Sequence, residues 1–176
     1  LWAGQIAGEK KVGDATIRLG MSDFYYQRAD YQGAGAGLTT GANTPGTGFN
    51  LVEGFGSVGT RIAEVPFSVN GQYVVNMAAA SSDDTAYLAG ITIGKAKDKG
   101  TWEIGYSYRD IGNDAVVAGL NDSDFAGETW TGCHGHRFNA KYQVAKNLSA
   151  DLAYILSTDY KGRDANTMQA DLNFKF

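Results

Sequence analysis

The chain has 176 residues, with 24 Gly, 2 Pro, a single Cys, 43% hydrophobic residues and a formal net charge of -4. No apolar run approaches the ~18 residues that a membrane-spanning helix needs, which excludes a helical membrane protein. Lys and Arg are distributed along the chain without a basic patch, which argues against a nucleic-acid partner, and Cys133 alone cannot build an internal disulfide framework.

Taken in order, Trp2, Gly4, Ile6 and Gly8 share one face of a short Gly-rich stretch over 1–9, and Lys10 to Asp14 reads as a tight polar turn. The chain opens on Leu1 without a signal peptide, as a processed mature start or the C-terminal portion of a longer chain would. Ala15, Ile17, Leu19 and Met21 alternate with Thr16, Arg18, Gly20 and Ser22, then run into Phe24, Tyr25 and Tyr26, so a strand ends here on rim aromatics. Residues 27–49 are dense in Gly, Thr, Asn and Pro, carry no periodicity, and read as a long loop. Between Asn50 and Ile62 two faces compete, Val52, Gly54, Gly56 and Val58 against Leu51, Glu53, Phe55 and Ser57, and the alternation does not fix the register. After a turn at Ala63-Glu64, the apolar residues Phe67, Val69, Tyr73 and Val75 oppose Ser68, Asn70, Gln72 and Asn76; residues 79–85 form the next loop.

The clearest hairpin pairs Tyr87, Ala89, Ile91 and Ile93 with Trp102, Ile104, Tyr106 and Tyr108 across a turn at Lys97 to Gly100. A second long loop covers about Gly112 to Gly135. Phe138, Ala140, Tyr142 and Val144, the turn Lys146-Asn147, and Leu148, Ala150, Leu152, Tyr154 and Leu156 make another hairpin, and a loop over 161–166 precedes the last strand. That strand, 167–176, sets Met168, Ala170, Leu172, Phe174 and Phe176 against Gln169, Asp171, Asn173 and Lys175. At ~3.3 Å per residue and a tilt of about 40° it spans roughly 25 Å, the height of the apolar band of an outer-membrane barrel.

About nine strands result, joined by connections that alternate short (10–14, 63–64, 97–100, 146–147) and long (27–49, 79–85, 112–135, 161–166). Periplasmic turns and extracellular loops of bacterial barrels alternate in this way. Rim aromatics agree: Phe67, Trp102 and Phe176 fall toward one interface, Tyr25, Tyr87, Tyr108 and Phe138 toward the other. The expected fold is therefore all-β, an antiparallel transmembrane β-barrel of the outer membrane that comprises residues 1–176. Bacterial single-chain barrels normally have an even strand count, so either upstream strands precede these or 1–9 is a remnant or a miscount.

The run from Gly100 to Phe125 (G-T-W-E-I-G-Y-S-Y-R-D-I-G-N-D-A-V-V-A-G-L-N-D-S-D-F), with G-H-R-F-N-A-K-Y from Gly135, P-F-S-V-N-G-Q-Y-V-V-N from Pro66 and the terminal A-D-L-N-F-K-F, resembles the "putative porin" family of Gram-negative outer membranes. The likeness covers about residues 50–176, and the Y-R-D…D-S-D-F block carries it most specifically. It implies a diffusion channel for small hydrophilic solutes and ions, a larger barrel of about 16 strands, a homotrimeric assembly, and contact with outer-membrane lipid and lipopolysaccharide. The T-G-C-H-G-H stretch at 131–136 departs from the polar loop expected there.

On the polar face of the predicted strands lie Arg18, Glu103, Arg109, Lys141, Asp151, Asp171 and Lys175, the expected pore lining. Both signs are present, so weak ion selectivity is expected from charges set across a narrow lumen. Asn121 to Asp124 supplies closely spaced hard oxygen ligands, as a calcium loop does, but lacks the Gly and late Glu of an EF-hand, and Asx turns favour the same residues. Alternatively, 111–135 folds into the lumen as a constriction with Asp122 and Asp124 at its tip. Cys133, His134 and His136 have soft-metal chemistry, but their spacing matches no closed site, so no metal or cofactor is assigned. The second function class is a small, filled barrel acting as an adhesin or anchor through its outer loops. An outer-membrane enzyme would need an activated Ser or His, and no partnered set stands out. A lipocalin-like soluble barrel would need its apolar residues inside.

Overall fold

In a computed structural model, described over residues 1–27, 42–122, 124–125 and 130–175, the chain forms one antiparallel sheet in which each strand pairs with the next. Its strands are β1 (Trp2–Val12), β2 (Ala15–Tyr26), β3 (Phe49–Ile62), β4 (Val65–Asn76), β5 (Thr85–Gly94), β6 (Trp102–Ile111), β7 (Cys133–Ala145), β8 (Leu148–Asp159) and β9 (Asp164–Phe174), with a single 3-10 turn at Ala118–Leu120. The fold is all-β. β1 and β9 are edge strands that do not pair with each other, so the sheet is open. Among the described residues no helix is long and apolar enough to cross a membrane, which says nothing about strands.

The first nine residues are a full strand, not a remnant: β1 pairs with β2 from Trp2↔Tyr25 to Val12↔Ala15. Lys10 and Lys11 belong to it, and the turn shrinks to Gly13-Asp14, where Gly13 supplies a φ of 59° at the first central position. That geometry matches the right-handed twist of the flanking strands. The Ala63-Glu64 turn uses left-handed backbone at both positions, with φ of 47° and 66°, without a glycine. The expected loop over 27–49 falls partly on undescribed residues, as does the terminal Phe176.

Register settles the ambiguous β3. Gly54 pairs with Met21 and Tyr73, and Glu53 with Ser22 and Val74. Hence Val52, Gly54, Gly56 and Val58 join Leu19, Val69, Ile91, Tyr106 and Leu152 on one face, called the outer face here. Leu51, Glu53, Phe55 and Ser57 take the other, inner face, because side chains alternate strictly in a strand. The sequence misleads at this point because Leu51 and Phe55 are apolar yet inward. Phe55 lies over Gly20, where a β-carbon would meet the ring at 2.3 Å.

Burial is inverted relative to a soluble sheet protein. Leu19, Met21, Val69, Ile91, Ile104, Leu152, Leu172 and Phe174, all on the outer face, are exposed. The buried apolar cluster sits instead at one end of the inner face, where Phe49, Leu51, Val74, Ala86, Ile111 and Ile155 meet Ala115, Val117 and Phe125 of the 112–132 connection. At that end lie the connections 27–48, 77–84, 112–132 and 160–163; the opposite end carries 13–14, 63–64, 95–101 and 146–147. Phe138, expected at the outer girdle, lies mid-strand opposite Tyr106 and Tyr154, because β7 begins at Cys133, well before its apolar alternation becomes visible.

Candidate functional site

Inner-face charges gather toward the short-connection end. Pairing places Glu103 beside Lys141, Lys141 beside Asp151 and Asp151 beside Asp171, a row of four charged residues crossing β6 to β9. Lys141 Nζ lies 3.3 Å from Asp151 Oδ1, and Asp151 Oδ2 accepts hydrogen bonds from Ser149 Oγ at 3.2 Å and from Asn173 Nδ2. Arg18 shares the inner face on β2, its guanidinium carbon 5.9 Å from the centre of the Phe55 ring. Lys175 follows β9 directly, and its backbone N–H donates to the Asn147 carbonyl at 2.9 Å.

Over the other half of the inner face lie the described residues of the 112–132 connection. Apolar residues seat it: Val117, Ala118 and Phe125 are buried, which removes them from water on a face that is otherwise polar. A polar hub fixes its entry. Asp114 is 0% exposed; its Oδ1 accepts from the Thr44 N–H at 2.7 Å, its Oδ2 from Ser81 Oγ at 2.7 Å, and its carbonyl from Asn76 Nδ2 at 2.7 Å. Asn43 completes the hub. Its Nδ2 donates to the Asn113 and Val116 carbonyls at 2.5 and 3.0 Å, and its Oδ1 accepts from the Ala118 N–H at 2.9 Å. Three connections are thus tied together through the paired side chains of Asp114 and Asn43, while Asn113 Oδ1 and Thr131 Oγ1 close by are buried with no partner among the described residues.

Further along, Asp122 is shared by two guanidinium groups, Arg109 at 3.3 Å and Arg137 at 3.5 Å. The Phe125 ring lies 4.3 Å from the Arg109 guanidinium carbon, within cation–π range. Asp122 Oδ1 accepts from the Asp124 N–H at 3.1 Å, an Asx turn, while Asp124 Oδ2 accepts from Gln169 Nε2 of β9 at 2.7 Å. The connection therefore runs from the β3–β4 region to β9 across the inner face. Two hollows remain beneath it. One of about 320 Å³ is bordered by Phe24, Tyr26, Leu51, Glu53, Val117 and Asn121; an adjoining one of about 120 Å³ reaches Arg109 and Leu88.

Strand alternation separates the soft-metal candidates. Cys133 is buried on the inner face, while His134 and His136 project from the outer face, where His136 Nδ1 lies 2.9 Å from Tyr106 Oη. Among the described residues, no three His, Cys, Asp or Glu side chains approach closely enough to hold a metal ion.

Sequence reasoning missed Arg137, Glu53 and the Asp114 hub. Arg137 has the inward parity of Asn139 and Lys141, so extending that alternation upstream would have found it. Glu53 was hidden by the two competing faces of β3. Asp114 gave no local signal, because its partners lie 33 to 70 residues away in sequence.

No curated protein and no solved structure matches the chain. The profile of a family described as "putative porin" matches residues 57–176, from mid-β3 through the terminal strand, and so covers the charged row, the crossing connection and both arginines of its ion pair. With its apolar outer face, charged inner face and antiparallel meander, the chain belongs to the putative porin family.

Proposed function

We propose that the chain forms the wall of an outer-membrane porin, a water-filled channel for passive diffusion of small hydrophilic solutes and ions. The observation that carries this reading is the division of the sheet into an outer face of exposed Leu, Ile, Val, Met and aromatic residues and an inner face bearing both signs of charge. Water on the outer face would leave a continuous apolar surface far larger than soluble monomers tolerate; lipid removes that cost, and only closed barrels let strands cross it.

In this reading Arg18, Glu103, Arg109, Lys141, Asp151, Asp171 and Lys175 line the lumen, and the 112–132 connection is a constriction carrying Asp122 and Asp124. Work is done by the width and charge of the passage, so no catalytic group is required. The open edges of β1 and β9 favour a larger barrel, about 16 strands, over one closed from these nine strands. Outer-membrane lipid and lipopolysaccharide are the surroundings the apolar face requires, and a homotrimer is the assembly carried by the resemblance.

The test is conductance of the full-length protein in a planar bilayer, with a heat-denatured control. Steady steps with weak ion preference are expected. Silence from a protein shown to be folded would sink the channel reading and favour the adhesin or anchor, for which the inward packing of 112–132 would fill the interior.

A further inference from the structure

The two hollows under the 112–132 connection share Gln72, Val74, Val116 and Asn121, so they form one cleft with distinct ends. At the first end Glu53 accepts a hydrogen bond from Gln72 Nε2 at 2.5 Å, and among the described residues no cation lies within ion-pair distance of it. Arg109 stands at the second end. Two guanidinium groups there share the single Asp122 carboxylate, while Asp124 pairs with Gln169 and with neither arginine, so Arg109 has only half a counter-charge in contact. Among the described residues the buried Arg109 Nε has no hydrogen-bond partner, which leaves a donor available in a site of reduced dielectric. Between the ends the walls are apolar and aromatic: Phe24, Tyr26, Leu51, Val74 and Val117. A few converging polar groups on an apolar cleft are the usual anatomy of a small-molecule site.

Spacing restricts the ligand. Glu53 on β3 and Arg109 on β6 are three strand spacings apart, and Arg109 lies two residues along its strand from Ile111, which shares Glu53's register row, so the backbones are about 16 Å apart, and side chains standing off the sheet do not lean far toward each other. With heads roughly 12–16 Å apart and ~3 Å taken by a contact at each end, the ligand's own charges must be separated by about 6–10 Å. An α-amino acid holds its charges across one carbon and falls short. One more residue adds about 3.5 Å.

We propose that this cleft is a binding site for small zwitterions with an apolar body and separated ends, the dipeptide class, whose carboxylate meets Arg109 and whose ammonium meets Glu53. The site deepens the porin reading, on which it rests for the route by which solute arrives. It would slow and select such solutes at the constriction, whereas salts and sugars pass without being held.

The experiment measures binding of the dipeptide Ala-Leu to the folded full-length protein in detergent by calorimetry, beside its N-acetylated form and its C-terminal amide. Each end modification should weaken binding about tenfold, the weight of one charge-assisted contact. Glu53→Gln should abolish the penalty for N-acetylation and keep the penalty for amidation. Val117→Trp, which fills the cleft without touching either charge, should weaken the unmodified dipeptide about tenfold or more. Failure of the folded wild-type protein to bind, equal affinity for all three forms, or a Glu53→Gln variant that still discriminates against the acetylated form would each overturn the proposal. Bilayer conductance on the same preparation separates the two ideas. Steady current without dipeptide binding removes the site and keeps the channel; binding without current keeps the site and removes the channel.

Discussion

Asp114 shows how a single side chain sets the shape of the inner face. It is fully buried, and its carboxylate is held by donors from two other connections, Thr44 and Ser81. Asp114→Ala leaves both donors without an acceptor, and each orphaned buried group costs about 1–3 kcal/mol. The expected result is a loss of about 2–4 kcal/mol in denaturant unfolding from detergent, with faster amide exchange concentrated in 43–48 and 112–118. Unchanged exchange in those segments would mean that the hub does not hold the connection. Asp122 acts through charge rather than through order. Asp122→Asn keeps the side chain's volume but leaves Arg109 and Arg137 without their shared counter-charge. The positive field at that height then rises, and the reversal potential under a salt gradient should move toward anion preference. A shift toward cations, or none, would place Asp122 away from the ion path.

At the scale of the strand, legibility followed the outer face. Where alternate residues build the apolar outer face, as in Tyr87 to Ile93, Trp102 to Tyr108 and Leu148 to Leu156, period two is written directly in the sequence. It faded where an outer residue is small or polar. Gly4 and Gly8 disguised β1, His134 and His136 disguised the start of β7, and on β3 the inward Leu51 packs with the crossing connection while the inward Phe55 lies over Gly20 beside Arg18. The place of the charges from Glu103 to Asp171 on the inner face of the sheet was readable from parity alone, since charge on a strand with one oily face has a single place to go. The tie between Asp122 and its two arginines was not readable, because it depends on where a 21-residue connection lies down. Turn chemistry gives the test at this scale. Ala63 and Glu64 both hold positive φ, which costs a residue with a β-carbon about 1–2 kcal/mol. Asn-Gly fits that turn type best, and the exposed Arg61–Glu64 ion pair lost with Glu64 contributes little. The double variant Ala63→Asn, Glu64→Gly should therefore be more stable by about 1–2 kcal/mol in reversible urea unfolding from detergent. No gain would show that the hairpin relaxes the strain by other means.

For the whole molecule the decisive matter is which face meets lipid, since alternation alone is the same for a lipocalin and a porin. The proposed channel requires lipid on the apolar outer face, and neighbouring residues of β5 allow a direct comparison. Ile91 lies on the outer face between Val69 and Tyr106, while Thr92 lies on the inner face between Ser68 and Gly105. An arginine at Ile91 would sit in the apolar band, where it costs about 2–4 kcal/mol near the bilayer midplane. An arginine at Thr92 would enter a wet, already charged surface, with a stability change within roughly 0.5 kcal/mol and a visible effect on ion preference. Folding titrations of Ile91→Arg and Thr92→Arg into lipid vesicles measure the difference. If the order were reversed, with Thr92→Arg the costly change, the interior would be the apolar phase and the chain a carrier of greasy ligands. If it runs as expected, the charged row from Glu103 to Asp171 is in water, and its charges act on whatever passes along it.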